Sequence, residues 1–131
     1  MKRNVIVICL GFVLALGGCA SLRSDRAFQK SKENFISTIA AGLDQIDRRI
    51  GRVIDAVETF QGNAEAELNA QIVEVVREKN NIGRKLEYLR AATPAAWPYM
   101  KADMEEAMLD LELLLKEIDE SMSLTYGGQS R

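Results

Sequence analysis

The stretch from residue 36 to residue 60, ISTIAAGLDQIDRRIGRVIDAVETF, decides the fold of this 131-residue chain. Its large apolar residues recur at alternating intervals of three and four positions, so an α-helix carries them in one stripe. Helices pack along stripes of this spacing in bundles and coiled coils. The members of the stripe are Ile36, Ile39, Leu43, Ile46, Ile50, Val53, Val57 and Phe60. We therefore predict a first helix from Ser24 to Phe60.

Two more stripes of the same kind follow in the sequence. The second consists of Leu68, Ile72, Val75, Lys79, Ile82, Leu86 and Leu89. We expect the aliphatic stem of Lys79 to cover apolar surface while its ammonium group reaches water. The third consists of Met100, Met104, Ala107, Leu111, Leu114 and Ile118, and it is widened by Met108, Leu115 and Met122. Each stripe predicts an amphipathic helix with one face turned to a shared core.

The segments between the stripes carry residues that end helices. Gly62 suits the C-terminal turn of the first helix, and Asn63 suits the N-cap of the second. Pro94 and Pro98 prevent smooth continuation of the second helix, so we expect Thr93 to cap a short turn and the third helix to begin near Pro98. Because short connections make successive helices antiparallel, the sequence predicts an all-α fold, an antiparallel three-helix bundle with coiled-coil-like seams.

The first twenty residues have the order of a secretory signal. Lys2 and Arg3 precede an apolar run from Val5 to Leu16, and small residues follow the run. Charged, apolar and small segments in this order are typical of exported chains. A membrane-spanning helix needs roughly 20 apolar residues, which is more than this run provides. We therefore expect export and no permanent span.

The residues Leu16-Gly17-Gly18-Cys19 close that run. They resemble the lipobox of bacterial lipoproteins, in which an aliphatic residue and two small residues precede a modified cysteine. The resemblance implies cleavage before Cys19, a diacylglycerol on its sulfur and a further acyl chain such as palmitate on its amino group. Two or three acyl chains hold a protein firmly in a bilayer. Ala20 stands where an aspartate would retain an enterobacterial lipoprotein in the inner membrane, so the resemblance implies the outer membrane, with the protein facing the periplasm.

Cleavage at this position defines the expected domain organisation. Residues 1–18 are the signal peptide, residues 19–123 the lipid-anchored bundle, and residues 124–131, rich in glycine, a flexible tail. The mature chain of about 113 residues is enough for one domain with one core. Cys9 leaves with the signal and Cys19 is modified, so no cysteine pair remains for a disulfide.

The composition argues against most catalytic functions and against binding of nucleic acid. The chain has no histidine, the commonest general base and transition-metal ligand. It has no glycine-rich phosphate loop, no G-x-S-x-G motif and no cysteine pair at zinc spacing. Its formal charge is −2, and loss of Lys2 and Arg3 with the signal makes the mature part about −4, which does not suit a nucleic acid. We expect a protein that is not an enzyme and has no cofactor apart from its covalent lipid.

The third helix has the most asymmetric charge. Its acidic residues are Asp103, Glu105, Glu106, Asp110, Glu112, Glu117, Asp119 and Glu120, against Lys101 and Lys116. One interpretation is a docking face for a basic protein partner, with Asp103, Glu106, Asp110 and Glu117 as the candidate binding residues. The other is ion pairing with Arg48, Arg49 and Arg52 of the first helix near Asp110 and Glu112, where exposed pairs each contribute less than about 1 kcal/mol.

Three further hypotheses remain open from the sequence. Met100, Met104 and Met108 share one helical face, so the chain could be a binding module for a soft metal such as Cu(I) or for an apolar ligand, although methionine is also a common core residue. Apolar residues beside the stripes could join two copies into a homo-oligomer: Val73, Val76, Leu109 and Leu113. Basic residues after the anchor could contact anionic headgroups: Arg23, Arg26, Lys30 and Lys32.

Overall fold

The computed structural model describes the backbone of residues 3–60 and 62–129 and the side chains of residues 22–60 and 62–128. This part of the chain contains three helices, α1 (Arg3–Val57), α2 (Asn63–Arg90) and α3 (Trp97–Gln129), and no strand. The fold is the predicted all-α, antiparallel three-helix bundle. Cys19 and the apolar run before it lie outside the residues whose side chains are described, so the lipidation site and the signal peptide stay predictions.

The chain divides into two compact units, Met1–Phe35 and Ile36–Arg131. In the first unit, Arg23, Arg26 and Lys30 are exposed, as a surface for headgroups requires. Lys32 differs from this expectation because its side chain is only 8% exposed. Its ammonium lies 5.4 Å from the centroid of the Phe28 ring, where the negative face of the ring attracts a cation. The exposed basic group therefore has three members, and Lys32 is not one of them.

The core of the second unit consists of the three predicted stripes. Every member of the first stripe except Leu43 is buried, and every member of the second except Lys79. In the third stripe Leu115 is 1% exposed while Leu114 is half-buried, so the core follows Leu111, Leu115 and Ile118 instead of passing through Leu114. Complete burial of one such side chain contributes about 1.5–3 kcal/mol. The fold therefore depends on apolar contact along three seams.

α1 and α3 run in the same direction. Met108 of α3 lies beside Gly42 of α1, since a Cβ built on Gly42 would stand 3.1 Å from the Met108 Cε. About two turns further along α1 and three turns further along α3, Arg49 of α1 forms an ion pair with Asp119 of α3. Residue numbers therefore increase in the same direction along α1 and α3, and residues in contact differ by 66 to 70 positions.

α2 is antiparallel to its neighbours. Lys85 of α2 pairs with Asp103 of α3 across 3.0 Å, whereas Gln71, earlier in α2, donates to the Ser121 hydroxyl later in α3 across 3.4 Å. The Lys79 ammonium forms an ion pair with Asp47 of α1, and the Lys79 side chain is 23% exposed. Lys79 thus covers the seam with its stem while its charge reaches the surface, as predicted.

The first connection differs in detail from the sequence prediction. α1 ends at Val57, and the Phe60 amide donates to the Val57 carbonyl across 2.9 Å in a tight turn. Gly62 is the N-cap residue of α2 and not the end of α1, and Asn63 is the first helical residue. The φ of Gly62 is 80°, a conformation that glycine adopts without strain. Phe60 stays buried at 2% exposure, which explains why the stripe continued beyond the helix.

The second connection confirms the role expected for Thr93. The Ala96 amide donates to the Thr93 hydroxyl across 3.3 Å, and the Trp97 amide donates to the Thr93 carbonyl across 2.9 Å. These bonds close a turn around Pro94, after which α3 begins at Trp97. The Thr93 hydroxyl and carbonyl thus accept from the amide just before α3 and from the first amide of α3, which has no partner within the helix.

α3 continues further than the sequence pattern indicates. The helix extends to Gln129, beyond the boundary at residue 124 from which a flexible tail is expected. The Tyr126 ring meets the Phe60 ring edge-on, with 4.9 Å between centroids, and the Thr125 hydroxyl donates to the Ser121 carbonyl across 2.9 Å. Tyr126 thus gives the last turns an apolar contact that the stripe does not include. Flexibility of the residues after it stays a prediction.

Among the described residues, no helix contains a stretch that is both long enough and apolar enough to cross a bilayer.

Candidate functional site

The candidate site is a groove between α2 and α3, which we call the acidic groove. It consists of two adjoining open clefts of about 350 Å³ and 360 Å³ that share Leu114 and Glu117. The residues that line the clefts are Glu67, Ala70, Gln71, Glu74, Glu78, Asp110, Leu113, Leu114 and Glu117. Five of these nine residues are acidic, none is basic, and three are apolar. The groove thus combines carboxylates with a leucine floor.

The groove arises from a second row of residues beside each core stripe. On α2 the row includes Glu67, Gln71, Glu74 and Glu78, each one position before a member of the second stripe. A helix turns by about 100° per residue, so such a row flanks the core on one side. On α3 the corresponding row runs through Asp110, Leu113 and Glu117. The antiparallel register of α2 and α3 sets the two rows face to face.

The ion pairs of α3 are distributed unevenly around the helix. Four of its eight carboxylates have a cation: Asp103 with Lys85, Glu105 with Lys101, Asp119 with Arg49 and Glu120 with Lys116. In the part of the chain that the structure describes, the remaining four, Glu106, Asp110, Glu112 and Glu117, have no ion pair. Three of these four lie on the side of α3 that faces the groove, so the groove retains uncompensated negative charge.

The structure separates the four residues predicted to bind a partner. Asp110 and Glu117 line the acidic groove. Glu106 is exposed and stands one helical turn before Asp110 on the same row. Asp103 is on this row too, but its carboxylate is bound to the Lys85 ammonium across 3.0 Å. Three of the four predicted acids therefore have no ion pair among the described residues, whereas Asp103 is paired with Lys85 between α2 and α3.

The expected pairing of α3 with the arginines of α1 occurs at a different level. Arg49 pairs with Asp119 and not near Asp110 and Glu112, because the contact of Gly42 with Met108 sets an offset of about 66 residues between the helices. Arg48 and Arg52 are exposed. The residues that sequence reasoning missed are on α2: Glu67, Glu74 and Glu78. Their row has the same spacing as the core stripe, a signal that was present in the sequence.

Two acids of the α2 row are already engaged. Glu74 forms an ion pair with Arg77, one turn further along α2. Glu78 accepts a hydrogen bond from the side-chain amide of Asn81 across 3.2 Å. Both contacts join residues three positions apart on one helix, the first exposed and the second part-buried. Pairs of this kind contribute a few tenths of a kcal/mol. A partner's cation can therefore replace them at low cost.

Gln71 contributes a polar group to the floor of the groove. Its amide nitrogen donates to Ser121, while its Oε1 is buried and has no hydrogen-bond partner among the described residues. Burial of an acceptor without a partner costs roughly 1–3 kcal/mol. A donor that reaches the bottom of the groove would recover part of this free energy.

A second cleft, between α1 and α2, has different chemistry. It has a volume of about 500 Å³, and its charged lining residues have both signs. They are Asp44, Asp47, Lys79, Arg84 and Glu87. Lys79 and Asp47 already neutralise one another. The α1–α2 cleft therefore has no strong preference for a partner of either charge.

The methionine face lies mainly in the core. Met104 is 1% exposed, Met108 contacts α1 at Gly42, and Met100 is half-buried. Among the described residues no group of three histidine, cysteine or acidic side chains is arranged to hold a metal ion. The soft-metal or apolar-ligand hypothesis stays a prediction, which retention of Cu(I) by the wild-type chain and its loss in Met104→Leu would support.

The structure brings together groups that can bind, and it places several apolar residues on the surface. Val73, Leu109 and Leu113 are 68%, 57% and 51% exposed, so these three of the residues predicted for self-association are accessible, and Val76 is half-buried. Carboxylates beside exposed leucine suit a ligand that is both cationic and apolar.

Comparisons of the chain with models of known protein families, with curated proteins and with solved structures find no significant match.

Proposed function

We propose that this chain is a lipid-anchored protein of the bacterial cell envelope that acts as a non-enzymatic adaptor or assembly module. The signal-like order of the first residues and the lipobox-like Leu16-Gly17-Gly18-Cys19 support the anchor. The absence of histidine from the sequence supports a function without histidine-dependent catalysis. The anchor carries diacylglycerol and an acyl chain on Cys19, in the outer membrane with the bundle on the periplasmic side.

The observation that carries the interaction role is the uncompensated charge of the acidic groove. Glu106, Asp110 and Glu117 have no ion pair in the described part of the chain, although α3 pairs four other acids. An exposed acid on a helix is ordinary, but an acid row beside Leu113 and Leu114 in an open groove is a surface for binding. The partner that complements this surface is a basic protein.

Charge in the groove acts mainly on the rate and specificity of binding. Opposite potentials on two proteins accelerate their encounter and suppress wrong partners, while the affinity comes from apolar contact at the centre of the interface. In the acidic groove the apolar centre is formed by Leu113 and Leu114. Charge and apolar contact, the two requirements of a selective docking surface, thus both come from the part of α3 that lines the groove.

In-cell photocrosslinking tests this function. A photoreactive residue at Glu106 or Glu117 reports on the groove, and the same residue at Glu112 is the control. Glu112 is also exposed and has no ion pair in the described part of the chain, but it stands seven residues before Asp119, on the side of α3 that faces α1. All three positions thus share helix, exposure and charge, and differ in the face that they occupy.

We expect Glu106 and Glu117 to capture one basic envelope protein that Glu112 does not capture. The capture should decrease when Asp110→Asn is introduced into the probe-bearing chain. Capture of the same abundant proteins from all three positions would refute the docking role of the groove. Mass spectrometry of the same purified protein tests the anchor, since the mature chain should begin at Cys19 with its lipid.

A further inference from the structure

We propose that the partner of the acidic groove presents a single basic amphipathic α-helix, which lies along the α2–α3 junction as a fourth helix of the bundle. This inference rests on the proposed function and specifies the form of the partner. It depends on three observations: the spacing of the residues beside the groove, the exposed apolar side chains on the same rows within and beyond it, and its charge.

The spacing beside the groove is that of a surface on which helices pack. The row of α3 is Tyr99, Asp103, Glu106, Asp110, Leu113, Glu117 and Leu124, and the row of α2 is Glu67, Gln71, Glu74, Glu78, Asn81, Lys85 and Tyr88. Within each row the intervals are three, four or seven residues, as in the core stripes. Side chains at these intervals interdigitate with a helix that lies nearly parallel to them.

Large apolar side chains are exposed along the same rows. Tyr88 is 70% exposed, Tyr99 80%, Leu113 51% and Leu124 78%. The register that joins Lys85 to Asp103 and sets Glu78 beside Asp110 places Tyr88 level with Tyr99, about 15 Å beyond the groove on the side of the second connection. Tyrosine side chains are favoured anchors in protein interfaces. The surface thus has a tyrosine pair at one end, Leu113 in the middle and Leu124 at the other end.

The length of the row sets the length of the partner helix. Tyr99 and Leu124 are separated by 25 positions, which corresponds to about 37 Å along a helix. A partner helix of about 25 residues spans the row completely. Its own apolar stripe would contact the tyrosine pair, Leu113 and Leu124, and its basic residues would face the acids on each side.

The charge of the groove distinguishes this occupant from two others. A second copy of the chain docked through the same face would bring Asp110 and Glu117 close to their own equivalents, and such like-charge contacts are costly. An anionic membrane surface is disfavoured for the same reason. A basic helix from a different protein is the occupant that the carboxylates favour.

A synthetic peptide tests the inference directly. The probe is a peptide of about 25 residues with leucine at the heptad a and d positions and lysine, glutamine and alanine elsewhere. Its control has the same composition in an order that removes the stripe. Binding is measured by fluorescence titration of the full lipid-modified chain in phosphatidylcholine nanodiscs, with empty nanodiscs as the blank, because a neutral lipid minimises attraction of the peptide to the bilayer.

Two triple variants with the same change of charge identify the binding face. The groove variant is Glu78→Gln, Asp110→Asn and Glu117→Gln. The control variant is Asp55→Asn, Glu58→Gln and Glu112→Gln, all of which are exposed and outside the groove. A Leu113→Ser variant removes the central apolar contact without any change of charge.

We expect the striped peptide to bind the wild-type chain at least tenfold more tightly than the reordered peptide. The groove variant and Leu113→Ser should each weaken binding by about tenfold or more, and the control variant by less than twofold. Equal binding of the two peptides, or no binding of either, would overturn the helical form of the partner. Equal loss in both triple variants would overturn the location.

The two proposals can fail separately. If the peptides fail to discriminate while crosslinking from Glu106 and Glu117 still captures one basic protein, the docking function stands and the helical mode is wrong. If the crosslinking controls capture the same proteins as the groove positions, the docking function itself is wrong.

Discussion

The contact between Gly42 and Met108 gives a sharp test of how α1 and α3 pack. Gly42 and Gly51 both lie inside α1, nine residues apart. A Cβ on Gly42 would stand 3.1 Å from the Met108 Cε, whereas a Cβ on Gly51 would meet nothing within 4 Å. The same substitution at the two positions therefore separates helix propensity from the contact between helices.

The expected magnitudes follow from these two environments. Replacement of a helical glycine by alanine gains about 1 kcal/mol in helix propensity, so Gly51→Ala should raise the free energy of unfolding by about that amount and the melting temperature by about 4 °C. Gly42→Ala should gain less, because the Met108 thioether methyl must move by a few tenths of an ångström. Gly42→Leu overpacks the contact, which typically costs about 1–3 kcal/mol and exceeds the gain in propensity.

Thermal unfolding of the full chain in a neutral detergent, followed by far-ultraviolet circular dichroism, measures these differences. Gly51→Leu should be more stable than the wild type and Gly42→Leu less stable. Met108→Ala should reduce the penalty of Gly42→Leu, because it removes the atoms that the leucine meets. Equal melting temperatures for Gly42→Leu and Gly51→Leu would refute the contact between α1 and α3.

Three further predictions concern the core, the anchor and the ion pairs. Leu111→Ala should lower the free energy of unfolding by about 3–5 kcal/mol because Leu111 is fully buried. Leu109→Ala, at a position that is 57% exposed, should change the free energy of unfolding by less than about 0.5 kcal/mol. Equal shifts of the two variants in denaturant titrations would contradict the assigned core. Cys19→Ser should prevent lipid addition, so a mass spectrum in which the variant still carries a diacylglycerol would exclude Cys19 as the anchor. A double-mutant cycle on Arg49 and Asp119 should give a coupling below about 1 kcal/mol that falls with added salt, since the two side chains are 35% and 50% exposed, and a larger coupling insensitive to salt would contradict that exposure.

The helices and the core could be predicted because a single periodic signal determines both. Residues such as Ile50, Ile82 and Leu111 recur at the spacing of a helix face, and burial of that face is the largest favourable contribution to folding. The choice of Leu115 over Leu114 could not be predicted, because adjacent leucines fit either side of the stripe equally well. Only the position of α2 beside α3 decides which of the two leucines reaches the core.

Register between helices was the main feature that the sequence could not supply. The acids of α3 and the arginines of α1 were visible, but their relative height depends on where α1 ends and on the close contact at Gly42. The end of α1 at Val57 was hidden because Phe60 remains buried after the helix stops. The pairing of Arg49 with Asp119 is a consequence of these two features.

Only the α3 side of the acidic groove could be predicted from the sequence. Charge alone identified Asp110 and Glu117 on α3, because eight acids against two lysines is a strong local bias. The α2 side was not identified, since Glu67 and Glu78 are interspersed with Arg77, Lys79 and other cations along the chain. The helical repeat distinguishes the acidic row of α2 from the nearby cations, because Lys79 belongs to the core stripe. Arg77 lies outside the row and pairs with Glu74, and Lys79 pairs with Asp47.

The parallel direction of α1 and α3 determines how far apart the chain ends of the second unit lie. Tyr126 contacts Phe60, so the end of α3 lies beside the end of α1, and the 21 helical positions from Ile36 to Val57 correspond to about 32 Å. An even number of helices would bring the two ends together, whereas three helices separate them by the length of the bundle. A circular permutant that joins the end of α3 to Ile36 therefore needs a linker of about 10 residues even when fully extended.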